Sequence, residues 1–137
     1  MKITIDYKPS KEDQQFLLDS LHSSNDSKGM AKSEDCWVFA NDDENKIIGG
    51  CKFLIFSKMA WVAIIWVEAS QQGKGYGKKL LETMEKEAKR KGCSVAALDT
   101  LEFQKAVPFY EKCGYQLIST VEALNGHDER YFMKKNL

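Results

Sequence analysis

The sequence predicts one mixed α/β (α+β) domain, residues 1–137, built on a sheet of about six or seven strands. Three observations predict it. The chain has 137 residues, the size of one domain. Apolar residues make up 43% and charged residues 29%, which is enough for a core and excludes a disordered or collagen-like chain. Segments of period two alternate along the chain with segments of helical spacing, in the order β-α-β-β-β-α-β-α-β-β.

Ile3, Ile5 and Tyr7 alternate with polar residues and read as a strand that Pro9 stops. From Lys11 to Leu21, Phe16, Leu17 and Leu21 share one helical face, with Ser10 as N-cap. His22 to Asp35 is polar and reads as a loop or a broken short helix. Cys36–Ala40 is a strand, 41–45 a turn, and Lys46–Phe56 a long strand. Gly49-Gly50 inside that strand predicts a bulge or a close backbone approach. Ala60–Val67, apolar on both faces, fits a central strand covered on both sides. Strict alternation along it would put Trp61 and Trp66 on opposite faces. Leu80, Leu81, Met84 and Ala88 define a helix over Gly77–Lys91 that Gly92 stops. Its charged residues Glu85, Lys86, Glu87, Lys89, Arg90 and Lys91 read as a solvated face. Cys93–Asp99 is a strand, and Pro108–Lys112 a short helix ended by Gly114. Tyr115–Val121 and Arg130–Met133 pair as strands across a hairpin at Asn125-Gly126.

Twenty basic and twenty acidic residues cancel, so no broad positive face exists to capture nucleic acid. The four cysteines, Cys36, Cys51, Cys93 and Cys113, show no C-x-x-C spacing and read as reduced thiols. The longest apolar run, Ala60–Val67, is far short of the roughly 20 residues of a membrane span, and residues 1–10 lack a signal-peptide core. These features describe a soluble, cytoplasmic protein with no nucleic-acid or membrane partner.

Function is concentrated in Gln72-Gly73-Lys74-Gly75-Tyr76-Gly77-Lys78-Lys79, between the central strand and the longest helix. Three alternate glycines leave main-chain N–H groups unshielded at a helix N-terminus, a favourable place for an anion. Lys78 and Lys79 lie in the first helical turn, where the helix dipole favours acids, so two cations there point to a docked phosphate. The segment is not a Walker loop, because no Ser or Thr follows the lysine, and it lacks the third glycine of G-x-G-x-x-G.

At these residues the chain resembles the GNAT superfamily of acetyl-CoA-dependent N-acetyltransferases, in particular a group of small bacterial members. The family loop Q/R-x-x-G-x-G/A matches Gln72 to Gly77, and the element N-x-x-A-x-x-F-Y followed by Gly-Phe/Tyr matches Ala106, Phe109, Tyr110, Gly114 and Tyr115. The family asparagine falls on Phe103, with Gln104 beside it. The resemblance implies a mostly antiparallel sheet with helices on both faces and a splayed central strand. It implies acetyl-CoA as co-substrate and no metal. Ile65, Trp66 and Val67 would pair with the pantetheine arm. Gln72, Gly73, Lys74, Gly75, Tyr76, Gly77 and Lys78 would cradle the pyrophosphate. Gln104 would either replace the hydrogen bonds of the missing asparagine or leave them absent.

In that mechanism a neutral amine attacks the thioester directly. Tyr110 would serve as general acid, the alternative being that it only packs the short helix. The glutamate that some family members carry on the central strand is Trp61 here. Glu68 and His127 are the candidate bases, with Asp99 and Glu102 behind them. The implied acceptor is a small-molecule primary amine. A protein or peptide N-acetyltransferase and a non-catalytic CoA-binding regulatory module are the alternatives. The resemblance also suggests a homodimer through the C-terminal strands.

Overall fold

The computed structural model describes residues 1–28, 33–122 and 128–137. The chain clusters into two compact units, Met1–Lys32 and Ser33–Leu137.

The first unit contains α1, Lys11–Asp26. Its start is the predicted one: Ser10 caps the helix, its Oγ accepting from the N–H of Asp13 at 3.0 Å. It runs five residues beyond Leu21, so the first part of the predicted loop is helical. Short polar residues such as Ser23 and Asn25 rank low as helix formers, which the sequence reading took for a break, but the cost per residue is a few tenths of a kcal/mol. Residues 3–7 are not a strand. A lone extended segment satisfies none of its main-chain hydrogen bonds, and among the described residues of this unit no strand pairs with it.

The second unit is a six-stranded sheet of order β1-β2-β3-β4-β6-β5. β1 is Glu34–Asn41, β2 Ile47–Phe56, β3 Met59–Val67, β4 Val95–Leu101, β5 Gln116–Val121 and β6 Arg130–Asn136. All pairings are antiparallel except β3 with β4. That parallel step needs a crossover, supplied by α2, Tyr76–Arg90. The mixed, mostly antiparallel sheet is the one the resemblance implies. The Asn125-Gly126 hairpin lies outside the described residues.

α2 lays Leu80, Leu81, Met84 and Ala88 on one face of the sheet, against Cys51, Phe53, Val62, Leu98 and Met133. Glu85 departs from the predicted solvated face. Its carboxylate accepts from Lys135 Nζ at 2.8 Å and from the Tyr115 hydroxyl at 3.1 Å. The short α3, Val107–Lys112, has Pro108 in its first turn and ends ahead of Gly114, whose φ is 93°.

Two features of β3 position the site. The first is a bulge. Lys52 pairs with Ile64 and Phe53 with Val62, so Ala63 is an extra residue. Alternation slips by one there. Trp61 faces Leu54 and Trp66 faces Gly50 on β2, and Leu54 and Gly50 share a face. The two tryptophans therefore lie on the same face, against the expectation from strict alternation, and it is the face away from α2. Ile64 and Trp66 are 53% and 52% exposed, so the second half of β3 is not covered on that side of this unit. The second feature is that β3 and β4 pair only from Met59–Val95 to Val62–Leu98. Beyond that rung the strands part.

Candidate active site

The end of β3 is held on one side only. Ile64 to Val67 stay paired with β2, and the N–H of Glu68 donates to Ile48 O at 2.8 Å. Main-chain groups alternate in direction along an extended strand. With Glu68 bonded toward β2, the N–H groups of Ile65 and Val67 turn toward the gap that opens beside β4. The Trp66 carbonyl faces the other way, where a Cβ on Gly49 would stand 3.0 Å from it. This is the close backbone approach that Gly49-Gly50 predicted.

Gln72 closes the end of the gap, its Nε2 donating to Val67 O at 3.1 Å. The chain then turns through Gly73 and Gly75, with φ of 77° and 85°, a region in which only glycine is at ease. Between the Gln72 N–H, bonded to Ala69 O, and the Lys79 N–H, bonded to Gly75 O, none of the six main-chain N–H groups from Gly73 to Lys78 has a protein acceptor among the described residues. Six free donors lie at the positive end of α2, where N–H groups and dipole both favour a negative charge. Gly77 has a packing task as well. It lies inside the helix, and a Cβ there would sit 3.1 Å from Phe109 Cζ. It lets α2 and α3 approach each other, while its N–H stays in the unpartnered run.

Tyr110 projects from α3 beside the gap. The residue is 6% exposed, its ring stands edge-on to Tyr115 at 6.0 Å, and no hydrogen bond of its hydroxyl exists among the described residues. Burial first, then the neighbouring Cys51, Cys113 and Asp99, push its phenol up to about 12. It stays protonated throughout the neutral range and keeps a free O–H to give.

The candidate bases separate. Glu68 takes an ion pair from Lys46 at 3.2 Å and a hydrogen bond from Ser70 at 3.3 Å, both at the outer end of β3. His127 lies outside the described residues. Gln104 follows β4 in a single helical turn, Glu102–Gln104, where its Oε1 accepts from Thr100 Oγ1 and Leu101 N, each at 2.9 Å. Its oxygen is committed to the turn, leaving only the amide NH₂ for a ligand. Sequence reasoning ended the strand at Asp99, and β4 runs two residues further, to Leu101. Asp99 is inside β4, the first residue beyond the last rung shared with β3.

A strand that parts from its neighbour, an uncapped glycine loop and a helix N-terminus thus surround one gap. The sequence matches the Acetyltransferase (GNAT) family over residues 3–115. The chain belongs to the GNAT acetyltransferase family. An acetyltransferase of Agrobacterium fabrum is 26% identical over 107 residues, covering 78% of this chain and 77% of that protein. A crystal structure from Agrobacterium tumefaciens superposes with a TM-score of 0.89 over the whole of both chains at 24% identity. An aminoglycoside 6'-N-acetyltransferase solved with coenzyme A gives 0.67 at 20% identity, over 99% of this GNAT chain and 97% of its own.

Proposed function

We propose that the protein transfers the acetyl group of acetyl-CoA to a primary amine on a small molecule, by direct attack of the amine on the thioester, with residues 1–137 acting as one domain in the cytoplasm. The observation that carries the reading is the run of six unpartnered amides from Gly73 to Lys78. A diphosphate is the group that needs such a run, and the cations of Lys74 and Lys78 add to its field. The turned-out main chain of Ile65 and Val67, with Trp66 between them, lies where the pantetheine arm would add as a strand. The Val67 N–H would polarise the acetyl carbonyl, an interaction of roughly 3–4 kcal/mol in the transition state.

Tyr110 then acts as the acid. As the C–N bond forms and the C–S bond breaks, the leaving sulfur needs a proton, and the free phenol beside the gap supplies it. The Gln104 amide NH₂ contributes one donor to the bound arm. Glu68 is engaged by Lys46 and Ser70, which favours water as the carrier of the first proton from the amine, with Glu68 or His127 as its final acceptor. The coenzyme A complex of the aminoglycoside acetyltransferase supports the choice of co-substrate, and its acceptor supports a small amine.

Calorimetry with coenzyme A, followed by thiol release from acetyl-CoA over a panel of amines, tests the reading. Binding with turnover of a small amine is the expected result. Turnover of peptides alone would make it a peptide N-acetyltransferase. Binding without turnover would make it a CoA-binding module, and no binding would remove the assignment.

A further inference from the structure

Asp99 is an anomaly of its strand. β4 reads Val-Ala-Ala-Leu-Asp-Thr-Leu, and aspartate is among the residues least suited to a strand. Thr100, its neighbour, is 2% exposed and satisfied by Gln104. Asp99 points to the opposite face, the one carrying Trp61, Ile64, Trp66 and Phe132. It stands directly across from Phe132 on β6, while on the β3 side the pairing has just ended. The carboxylate therefore sits in the mouth of the gap, and its charge is felt by Tyr110.

Its partner is Arg130, through one contact, Nε to Oδ2 at 3.2 Å. The geometry is not the two-pronged pairing that makes arginine–carboxylate contacts strong. The arginine side chain is 51% exposed and the aspartate 26%. A half-exposed pair of this kind adds little to stability, too little to account for a charge in a central strand. What the pair does show is a carboxylate presented to a cation at the open end of the site.

We propose that Asp99 is an acceptor-binding residue: it holds an ammonium or guanidinium group of the acceptor in the mouth of the gap, and Arg130 is the resident cation that this group displaces. The inference rests on the acetyltransferase reading above. It also narrows the acceptor. A carboxylate-bound ammonium has no lone pair, so the nitrogen that attacks must be a different one, nearer Tyr110. The acceptor class is an amine with at least one further cationic group. The step balances: the attacking nitrogen loses one proton to water before attack and a second as the C–N bond forms and the C–S bond breaks, this second one replacing the proton that Tyr110 gives to the sulfur; the amide nitrogen keeps one hydrogen and the group on Asp99 keeps its own.

The test compares a diamine, 1,4-diaminobutane, with the monoamine butylamine, by thiol release at saturating acetyl-CoA, in wild type, Asp99→Asn and Arg130→Gln. The wild type should prefer the diamine in kcat/KM. Asp99→Asn should cut that preference at least tenfold, chiefly through the diamine KM. Arg130→Gln should lower the diamine KM severalfold, the opposite sign. Acetyl-CoA affinity and Tm of both variants should stay near wild type. If both variants raise the diamine KM together and lose Tm, the pair is only a cross-strand staple and the proposal falls. It falls equally if the wild type shows no diamine preference, or turns over neither amine. Loss of coenzyme A binding in the wild type is a separate result, which removes the acetyltransferase reading itself.

Discussion

At the scale of single residues, Tyr110 and Gly75 carry the sharpest tests of this site. Tyr110 has a free hydroxyl in a nearly closed environment. Tyr110→Phe removes the hydroxyl proposed as the proton donor and almost nothing else. Turnover should fall by roughly 10²–10⁴, the range of a general acid, while acetyl-CoA affinity changes less than threefold. Stopped-flow turnover beside calorimetry checks the split, and equal turnover in both proteins would leave Tyr110 as packing. Gly75 decides the loop. A Cβ there meets nothing within 4 Å, so Gly75→Ala costs only the left-handed backbone, about 1–2 kcal/mol. That strain falls on the six amides, and coenzyme A should bind about tenfold more weakly with little change in the rest of the fold.

At the scale of elements, contacts between α2 and its neighbours set the geometry. Gly77 lets Phe109 of α3 come close. Gly77→Val should destabilise the protein by about 1–3 kcal/mol through overpacking, and Phe109→Leu in the same chain should recover part of it. Urea titrations of the four proteins of the cycle measure the coupling. Glu85 joins α2 to β6 and to the start of β5 through Lys135 and Tyr115. Glu85→Ala leaves a half-buried ammonium and a buried phenol without their acceptor, at a cost of roughly 2–4 kcal/mol. A loss below 0.5 kcal/mol would show that solvent replaces the carboxylate.

For the whole molecule, pH gives the broadest prediction. Burial raises Cys51 from 9.0 to about 12 and Tyr110 from 10.0 to about 12, and raises Tyr115 as well. Each group binds its proton more tightly folded than unfolded. Their contribution is complete below about pH 9 and is lost as pH climbs toward 12. Unfolding free energy should therefore fall across that window. Tyr110→Phe should make the fall shallower between pH 10 and 12 by up to one proton, about 1.4 kcal/mol per pH unit. Most of the sheet unit was legible in the sequence, because Leu80, Leu81, Met84 and Ala88 carry a clear helical period and the glycines at 73, 75, 92 and 114 stand where φ is positive. The loop was legible for the same reason. Three things were not. The bulge at Ala63 leaves no mark in an unbroken apolar run, so the side of Trp66 could not be read. The engagement of Glu68 with Lys46 depends on a residue 22 positions away. The role proposed for Asp99 depends on where β3 and β4 stop pairing, and pairing between strands far apart in sequence has no local signal.

The six amides from Gly73 to Lys78 have a consequence for deuterium uptake. Main-chain hydrogens with no acceptor exchange with solvent in seconds, whereas those inside α2 wait for the helix to open. In heavy water the bare protein should label this one short peptide almost at once, against a slowly labelling sheet. Addition of coenzyme A should slow that peptide, and the outer end of β3 with it, by orders of magnitude, giving a fingerprint of occupancy that needs no knowledge of what is acetylated.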